Sequence, residues 1–351
     1  MLERSGIRKA DIDGLTVSSY TLQPDHSASL AEYLGLSPRF AVDIPFGGAS
    51  GVIAMRRAAR AIQNGDAEVV ACLAADVAPT GDDIGANFSR FARDHVYPYG
   101  AGGANSVFAM ITDRYMRAHG VTREDFGQLC LGQRQNGLHF PYSLYKEPLS
   151  MSAYLASRQI APPIHLFDCV RRCCGAEGFL VMDVERAESL KLPFAILMGA
   201  VERHNGTFDQ TVQTASLSLD DANELYRQAG IGPGDVHFVQ AYDDYPVIVM
   251  MQLESLGFCG PGQASGLLKN ESMAHEGSLP LNTHGGMLCM GQAGAAGGFC
   301  GTTEALRQLT GERLGKLVPK ASIGVVSCYG TVNYDRGICA SAAVLGTGAR
   351  A

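Results

Sequence analysis

Residues 44–65 read IPFGGASGVIAMRRAARAIQNG. A short apolar lead runs into a glycine pair and a turn of small residues, and an amphipathic run then stops at Asn64-Gly65. Val52, Met55, Ala59 and Ile62 recur at helical spacing, so the run is predicted to be a helix with one apolar stripe and with Arg56, Arg57 and Arg60 on its other, solvated side. The following AEVVACLAAD (67–76) is a continuous apolar run of strand length, which predicts a strand buried on both faces. The unit is glycine-rich turn, helix, short turn, buried strand.

The same order returns near the other end of the chain. NTHGGMLCMGQAGAAGGFCGTTEALRQLTGERLG (282–315) has a glycine-rich entrance and a helix expected to end at Gly315, and ASIGVVSCYG (321–330) follows as a second buried strand. Two copies of one unit point to an internal duplication. Between them, TREDFGQL (122–129) opens a helix with Thr122 as cap and Asp125 three residues on. FAILMGAVE (194–202) and VHFVQAYDD (236–244) read as strands, and Pro246 starts a helix that Gly257 closes. Helices alternating with buried strands mean an α/β protein with mostly parallel sheets. The division is placed in VERHNGTFDQ, giving halves 1–205 and 206–351.

The 351 residues are 46% hydrophobic and 18% charged, an ordinary globular composition, and the net charge of -7 offers no basic field for nucleic acid. No run reaches the ~18 apolar residues of a membrane helix, and the first residues lack the apolar core of a signal peptide, so a cytoplasmic protein is expected. Its ten cysteines are then reduced thiols. Cys169, Cys173 and Cys174 have no second Cys/His pair at zinc-site spacing and are read as buried small side chains, with no metal expected.

A glycine-rich helix entrance suits a phosphate, but GGASG fits neither nucleotide-binding spacing. It equally suits a nucleophile or an oxyanion, yet the turn has no cysteine and Ser50 has no base beside it in sequence.

GGASG before a long helix, YMRAHGVTREDFGQL, LSMSAYLASRQIAPPIHLFDC, AYDDYPVIVMMQLESLGFCG, LPLNTHGGMLCMGQ and the closing VVSCYG come in one order along nearly the whole chain. Together they resemble the thiolase superfamily, in particular its sterol-carrier-protein and lipid-transfer-protein type. That resemblance implies two βαβαβαββ halves in five α-β-α-β-α layers, with the first strand and helix shortened. It also implies an acyl-CoA substrate, no cofactor beyond that thioester, and at least a homodimer.

The departures from the family pattern narrow the chemistry. Where thiolases carry the acyl-accepting cysteine, two places before Ser-Gly, this chain has Gly48; the Gly-His-Pro element matches Gly291-Gln292-Ala293; and the His-Asp-Cys-Phe loop matches Tyr242-Asp243-Asp244-Tyr245. The late Cys-x-Gly persists as Cys328-Tyr329-Gly330. Thiolysis needs a covalent acyl-enzyme, whereas retro-aldol cleavage of a β-hydroxyacyl-CoA needs only a base and an enolate stabiliser. The resemblance is therefore to the cysteine-less steroid side-chain aldolases, which use tyrosines and work with a small OB-fold, zinc-ribbon protein.

On this reading Tyr242, its pKa lowered by a neighbouring charge, Tyr329, His284 and Asp243 are the candidate catalytic residues. Gly48, Gln292, Cys328, Gly330 and Tyr334 are candidates for substrate binding. Gln292 would donate to the enolate oxygen, and the missing thiol would leave room for a bulky acyl group. Each has a plainer alternative: Tyr242 a core tyrosine, Asp243 a helix cap, His284 a loop pin, Arg56, Arg57 and Arg60 a solvated face and not a CoA contact. A non-catalytic subunit, or a Claisen enzyme using Cys328, are the other functional readings.

Overall fold

The structure is a computed structural model and describes residues 1–22, 26–78, 94–95, 97–100, 103–333 and 336–348. Its strands are β1 (Gly14–Ser18), β2 (Phe40–Asp43), β3 (Val69–Asp76), β4 (Gln159–Ala161), β5 (Ile164–His165), β6 (Gly175–Met182), β7 (Ala195–His204), β8 (Phe238–Ala241), β9 (Ile323–Asn333) and β10 (Arg336–Thr347). The helices that matter here are α1 (His26–Leu34), α2 (Ser50–Gln63), α3 (Ala104–His119), α4 (Arg123–Gly137), α5 (Leu219–Ala229), α6 (Pro246–Ser255), α7 (Met287–Met290) and α8 (Gly297–Thr310).

Two four-stranded sheets, ordered β2-β1-β3-β6 and β7-β10-β9-β8, enclose α2 and α8, while α1 and α5 cover their outer faces. This is the five-layer arrangement of a duplicated α/β fold. Parallel pairing joins β1 to β2 and β3, and β8 to β9. The expectation of mostly parallel sheets fails in the second sheet and at one edge of the first: β6 pairs antiparallel with β3, β7 with β10, and β9 and β10 form a central hairpin, whose short connection permits only antiparallel return. The chain passes from the first sheet to the second between Met182 and Ala195. β7, assigned from sequence to the half ending at residue 205, thus pairs in the second sheet.

The capping chemistry explains several element ends. Thr122 and Asp125 bond reciprocally ahead of α4, and Pro246 occupies the first turn of α6, where its missing N–H costs nothing. α8 stops at Thr310 and not at Gly315, because Gly311 already takes the left-handed conformation, φ 73°, that ends a helix.

Helix α2 is more enclosed than its stripe suggested. Val52, Ile53, Ala54, Met55, Ala58 and Ala61 are buried, whereas Ala59 and Ile62 are only partly so and Arg60 is exposed as expected. Arg56 and Arg57 are only partly exposed; both reach Glu202 of β7, at 3.1 and 3.7 Å, and Arg57 lies over the Phe46 ring. A lobe of α3, α4 and the β4–β5 hairpin packs on α6 around a second apolar cluster that includes Phe108, Tyr154, Met250, Tyr242 and Tyr329. No helix among the described residues is long and apolar enough to cross a membrane.

The two central helices meet backbone to backbone. A Cβ on Gly51 would lie 2.2 Å from the Gly298 carbonyl oxygen and 2.8 Å from Thr302 Oγ1, neither of which can withdraw without moving α8. Gly51→Ala is therefore expected to destabilise the fold by about 1–3 kcal/mol, read as a lower denaturant midpoint at unchanged slope.

Candidate active site

The site forms where the carboxyl ends of β2 and β8 meet the entrance of α2, the usual place for ligands in parallel sheets. Tyr242 leaves the end of β8 and its N–H donates to the Ser327 carbonyl at 2.8 Å. Its ring lies directly on Gly48: a Cβ there would be 2.2 Å from Tyr242 Cζ, 2.3 Å from Cε2 and 2.2 Å from the Tyr329 carbonyl oxygen. The place of the thiol is filled. The room expected from the missing cysteine does not exist at this position, because the tyrosine that replaces the family's histidine occupies it.

The Tyr242 hydroxyl donates to Asp244 Oδ2 at 2.8 Å, and the Gln292 amide donates to Tyr242 Oη at 2.8 Å and to Asp244 Oδ1 at 2.7 Å. A carboxylate accepts and cannot donate, which fixes the orientation of the amide. Both amide hydrogens are thereby committed, so Gln292 holds the Tyr242–Asp244 pair instead of reaching an enolate oxygen. Its backbone is also tied: Gln292 N–H donates to the Arg171 carbonyl and the Gln292 carbonyl accepts from Cys173 N–H.

Burial pushes Asp244 up to about 7, helped by the neighbouring charge of Asp243 and opposed by the Tyr242 and Gln292 hydrogen bonds. Tyr242 rises well above its ordinary value, first through burial and then through Asp244. The expectation that a nearby charge would lower it had the wrong sign, since the charge that arrived is an anion. Tyr242 is thus a protonated phenol that hands its hydrogen to a carboxylate able to change state near neutrality.

Asp243 plays a different part. Its oxygens accept from the N–H groups of Met287 and Leu288 at 2.8 and 3.1 Å and from Gln133 Nε2 at 2.6 Å, so it caps α7. Burial raises it to about 6 against these three donors. Sequence favoured Asp243 over Asp244; the turn after β8 sends the second carboxylate, not the first, toward Tyr242.

His284 is buried, and neither ring nitrogen has a hydrogen-bond partner among the described residues. Burial, then Arg307, depresses it to about 3, so it is a neutral imidazole. Together with Tyr242, Asp243, Cys300, Ser327 and Cys328 it lines a cavity with about 10 Å³ of free volume, room for one water behind the tyrosine.

Tyr329 lies next to Cys328 on β9, and neighbours on a strand face opposite ways. Its hydroxyl donates to Gln213 Oε1 and accepts from Gly337 N–H, so the ring is a core element and does not line that cavity. Burial pushes the Cys328 thiol up to about 12, which leaves no thiolate for a Claisen step at neutral pH. Gly330 abuts the nucleophile turn: a Cβ on it would stand 2.2 Å from the Phe46 carbonyl and 2.7 Å from Gly48 N. Tyr334 lies outside the described residues. Of the cysteine cluster, Cys169 and Cys173 are partly buried but Cys174 is exposed, against expectation, with Sγ accepting from Ala78 N–H.

A thiolase-type glycine turn between two duplicated halves, carrying a tyrosine where a nucleophile belongs, defines a class. The chain belongs to the thiolase superfamily: residues 200–346 match the thiolase C-terminal domain-like family. The chain is 30% identical, over 88% of its length and 82% of the relative's, to a protein of Thermomonospora curvata described as a steroid side-chain-cleaving aldolase. A Mycobacterium tuberculosis protein described as 17-hydroxy-3-oxo-4-pregnene-20-carboxyl-CoA lyase is also 30% identical, over 88% of this chain and 84% of the other. The solved structure described as an Ltp2-ChsH2(DUF35) aldolase superposes with a TM-score of 0.82 at 28% identity, covering 98% of this chain and 89% of that one. Within the superfamily the chain is a thiolase-fold carbon–carbon lyase and not a standard thiolase.

Two outcomes follow from this geometry. Gly48→Cys should not create an acyl-enzyme detectable by intact-mass measurement, and should cost about 1–3 kcal/mol, because the new side chain must displace the Tyr242 ring. Asp244 binds its proton more tightly folded than unfolded, so its contribution to stability is present below about pH 4, is lost as the pH rises through about 7, and stays lost above. Asp244→Asn should flatten that decline in the thermal midpoint.

Proposed function

We propose that the protein cleaves a β-hydroxyacyl-CoA by retro-aldol reaction, without a covalent acyl-enzyme. The observation that carries this is the Tyr242–Asp244–Gln292 relay seated over a glycine that has no side chain to acylate. The β-hydroxyl proton passes to Tyr242 Oη as Tyr242 passes its own to Asp244. The Cα–Cβ bond breaks, its electron pair moves to the thioester enolate, and Cβ leaves as a ketone or aldehyde. Protonation of Cα then gives the shortened acyl-CoA. No redox group takes part and none is required, so the reading includes no cofactor. Gly48 and Gly330 act by letting the parts close up, since the Tyr242 ring covers the one and the Phe46 carbonyl the other; the substrate's reacting carbons would then meet the hydroxyl end of Tyr242.

Substrate class and partners come from the relatives. Two of them are named for steroid side-chain chemistry, which supports a bulky, branched acyl group here. The two-component name of the structural neighbour supports a small second protein component here; that this component is an OB-fold, zinc-ribbon protein, joined to a homodimer of this chain in the cytoplasm, is what the sequence resemblance implies.

The test is to incubate the protein, with and without such a partner, with a panel of β-hydroxyacyl-CoA esters and look for a ketone plus a shorter CoA ester. Cleavage is expected, with kcat/KM rising through about pH 7 as Asp244 ionises. Tyr242→Phe should lower kcat by about 10²-fold or more while the protein stays folded, with the thermal midpoint lowered only by the lost buried hydrogen bonds. Absence of cleavage across the panel would overturn the proposal.

A further inference from the structure

A second phenol is built into the same site from the other half of the fold. Tyr20 stands just past the end of β1, in a turn held by one carboxylate. Asp76 Oδ1 accepts from the Ser19 hydroxyl, the N–H of Tyr20, and the N–H and hydroxyl of Thr21, each at 2.8 Å. Its other oxygen accepts at 2.7 Å from the N–H of Ala295, in the loop that carries Gln292. Asp76 is only 6% exposed, so these bonds are made out of water, where losing one is costly. One buried carboxylate therefore fixes the Tyr20 turn against the Gln292 loop.

The Tyr20 hydroxyl falls on Gly47 as the Tyr242 ring falls on Gly48. A Cβ on Gly47 would lie 2.1 Å from Tyr20 Oη. Two adjacent glycines thus seat two tyrosines, one from each half. Burial and then the charges of Asp244 and Asp76 hold the Tyr20 hydroxyl in its protonated form, while 39% of the residue remains exposed, so the inward hydroxyl belongs to a side chain that also touches solvent.

Retro-aldol cleavage needs two proton transfers of opposite sense, and the Tyr242 relay accounts for the first. Tyr242 is poorly placed for the second, because its hydrogen is directed at Asp244. We propose that Tyr20 is the acid that protonates Cα of the enolate, with Asp76 as the residue that positions it; this rests on the aldolase reading above. The Tyr20 O–H bond breaks as the Cα–H bond forms from the enolate electron pair. The phenolate is restored by the proton that Asp244 took from the substrate hydroxyl, returned through solvent. A thioester enolate is a far stronger base than a phenolate, so a phenol with a raised pKa is still an adequate acid.

The step can be isolated by running it backwards on the product side. Propionyl-CoA in D2O, incubated with the protein alone or with its partner, is followed by mass spectrometry for deuterium at Cα. The wild type should exchange. Tyr20→Phe, which keeps the ring on Gly47, should exchange at least tenfold more slowly with the KM for β-hydroxyacyl-CoA cleavage unchanged. Tyr242→Phe should keep exchange while losing cleavage. Asp76→Asn should lower exchange and kcat together at unchanged KM. Exchange at the wild-type rate in Tyr20→Phe, or its loss in Tyr242→Phe alone, overturns the assignment. A wild type that cleaves while Tyr20→Phe falls in both exchange and kcat at unchanged KM upholds both readings; a wild type that neither cleaves nor exchanges overturns the aldolase reading and this step with it.

Discussion

The contact between the Tyr242 ring and the bare Cα of Gly48 governs the rest of the site. With ring carbons little more than 2 Å from where a Cβ would stand, the two positions cannot both carry side chains. Loss of the nucleophile and gain of the tyrosine are accordingly one change and not two. Once the ring lies there, its hydroxyl has somewhere to go only if acceptors and donors are waiting, and Asp244 and Gln292 supply one of each. The thiolase histidine could not be kept in either role, since an imidazole in place of Gln292 would have a single N–H per nitrogen to divide between a phenol and a carboxylate. An amide nitrogen carries two.

Two adjacent carboxylates in one buried loop would ordinarily be a liability, and the fold resolves it by treating them differently. Asp243 receives three donors, two of them from the start of α7, and becomes scaffold. Asp244 receives two, one of them a phenol, and its proton affinity is left higher. Donors favour the charged form, so the carboxyl with fewer of them is the one that titrates at a useful pH. The neutral His284 on the far side of Tyr242 adds no positive charge that would undo this.

Much of this was legible in the chain. Glycine turn, helix and buried strand twice over disclosed the duplicated fold, and the absent cysteine and histidine disclosed that ordinary thiolysis was lost. What was not legible depends on directions that spacing does not encode. Tyr329 and Cys328 are neighbours in sequence, but the alternation of a strand separates their side chains, a rule that sequence alone would have supported. The choice between Asp243 and Asp244 turns on the backbone path after β8, which no pattern of residues specifies. The Arg56 and Arg57 face looked solvated because amphipathicity is read against a single core, whereas α2 lies between two sheets and meets Glu202 from the second. Tyr20 carries no local signal; its place follows from Asp76 bridging the halves.

That bridging bears on why chemistry survives the loss of a nucleophile in this fold. Gly47 and Gly48 belong to the first half, whereas Tyr242, Asp244, Gln292 and Gly330 belong to the second, and Gly51 and Gly298 bring the halves to backbone contact a single turn away. A side chain at Gly51 or Gly298 would push the halves apart, since its Cβ would stand 2.2 Å from the Gly298 carbonyl oxygen in the one case and 2.5 Å from the Gly47 carbonyl oxygen in the other. The site is therefore set by the interface between repeats, which the core must maintain for folding in any case. Glycine for cysteine and tyrosine for histidine can then be exchanged together, while the distance between the two sides is held. Polar groups held at a dry, fixed separation can be given new proton-transfer work by changing two or three side chains, provided each buried group keeps a partner.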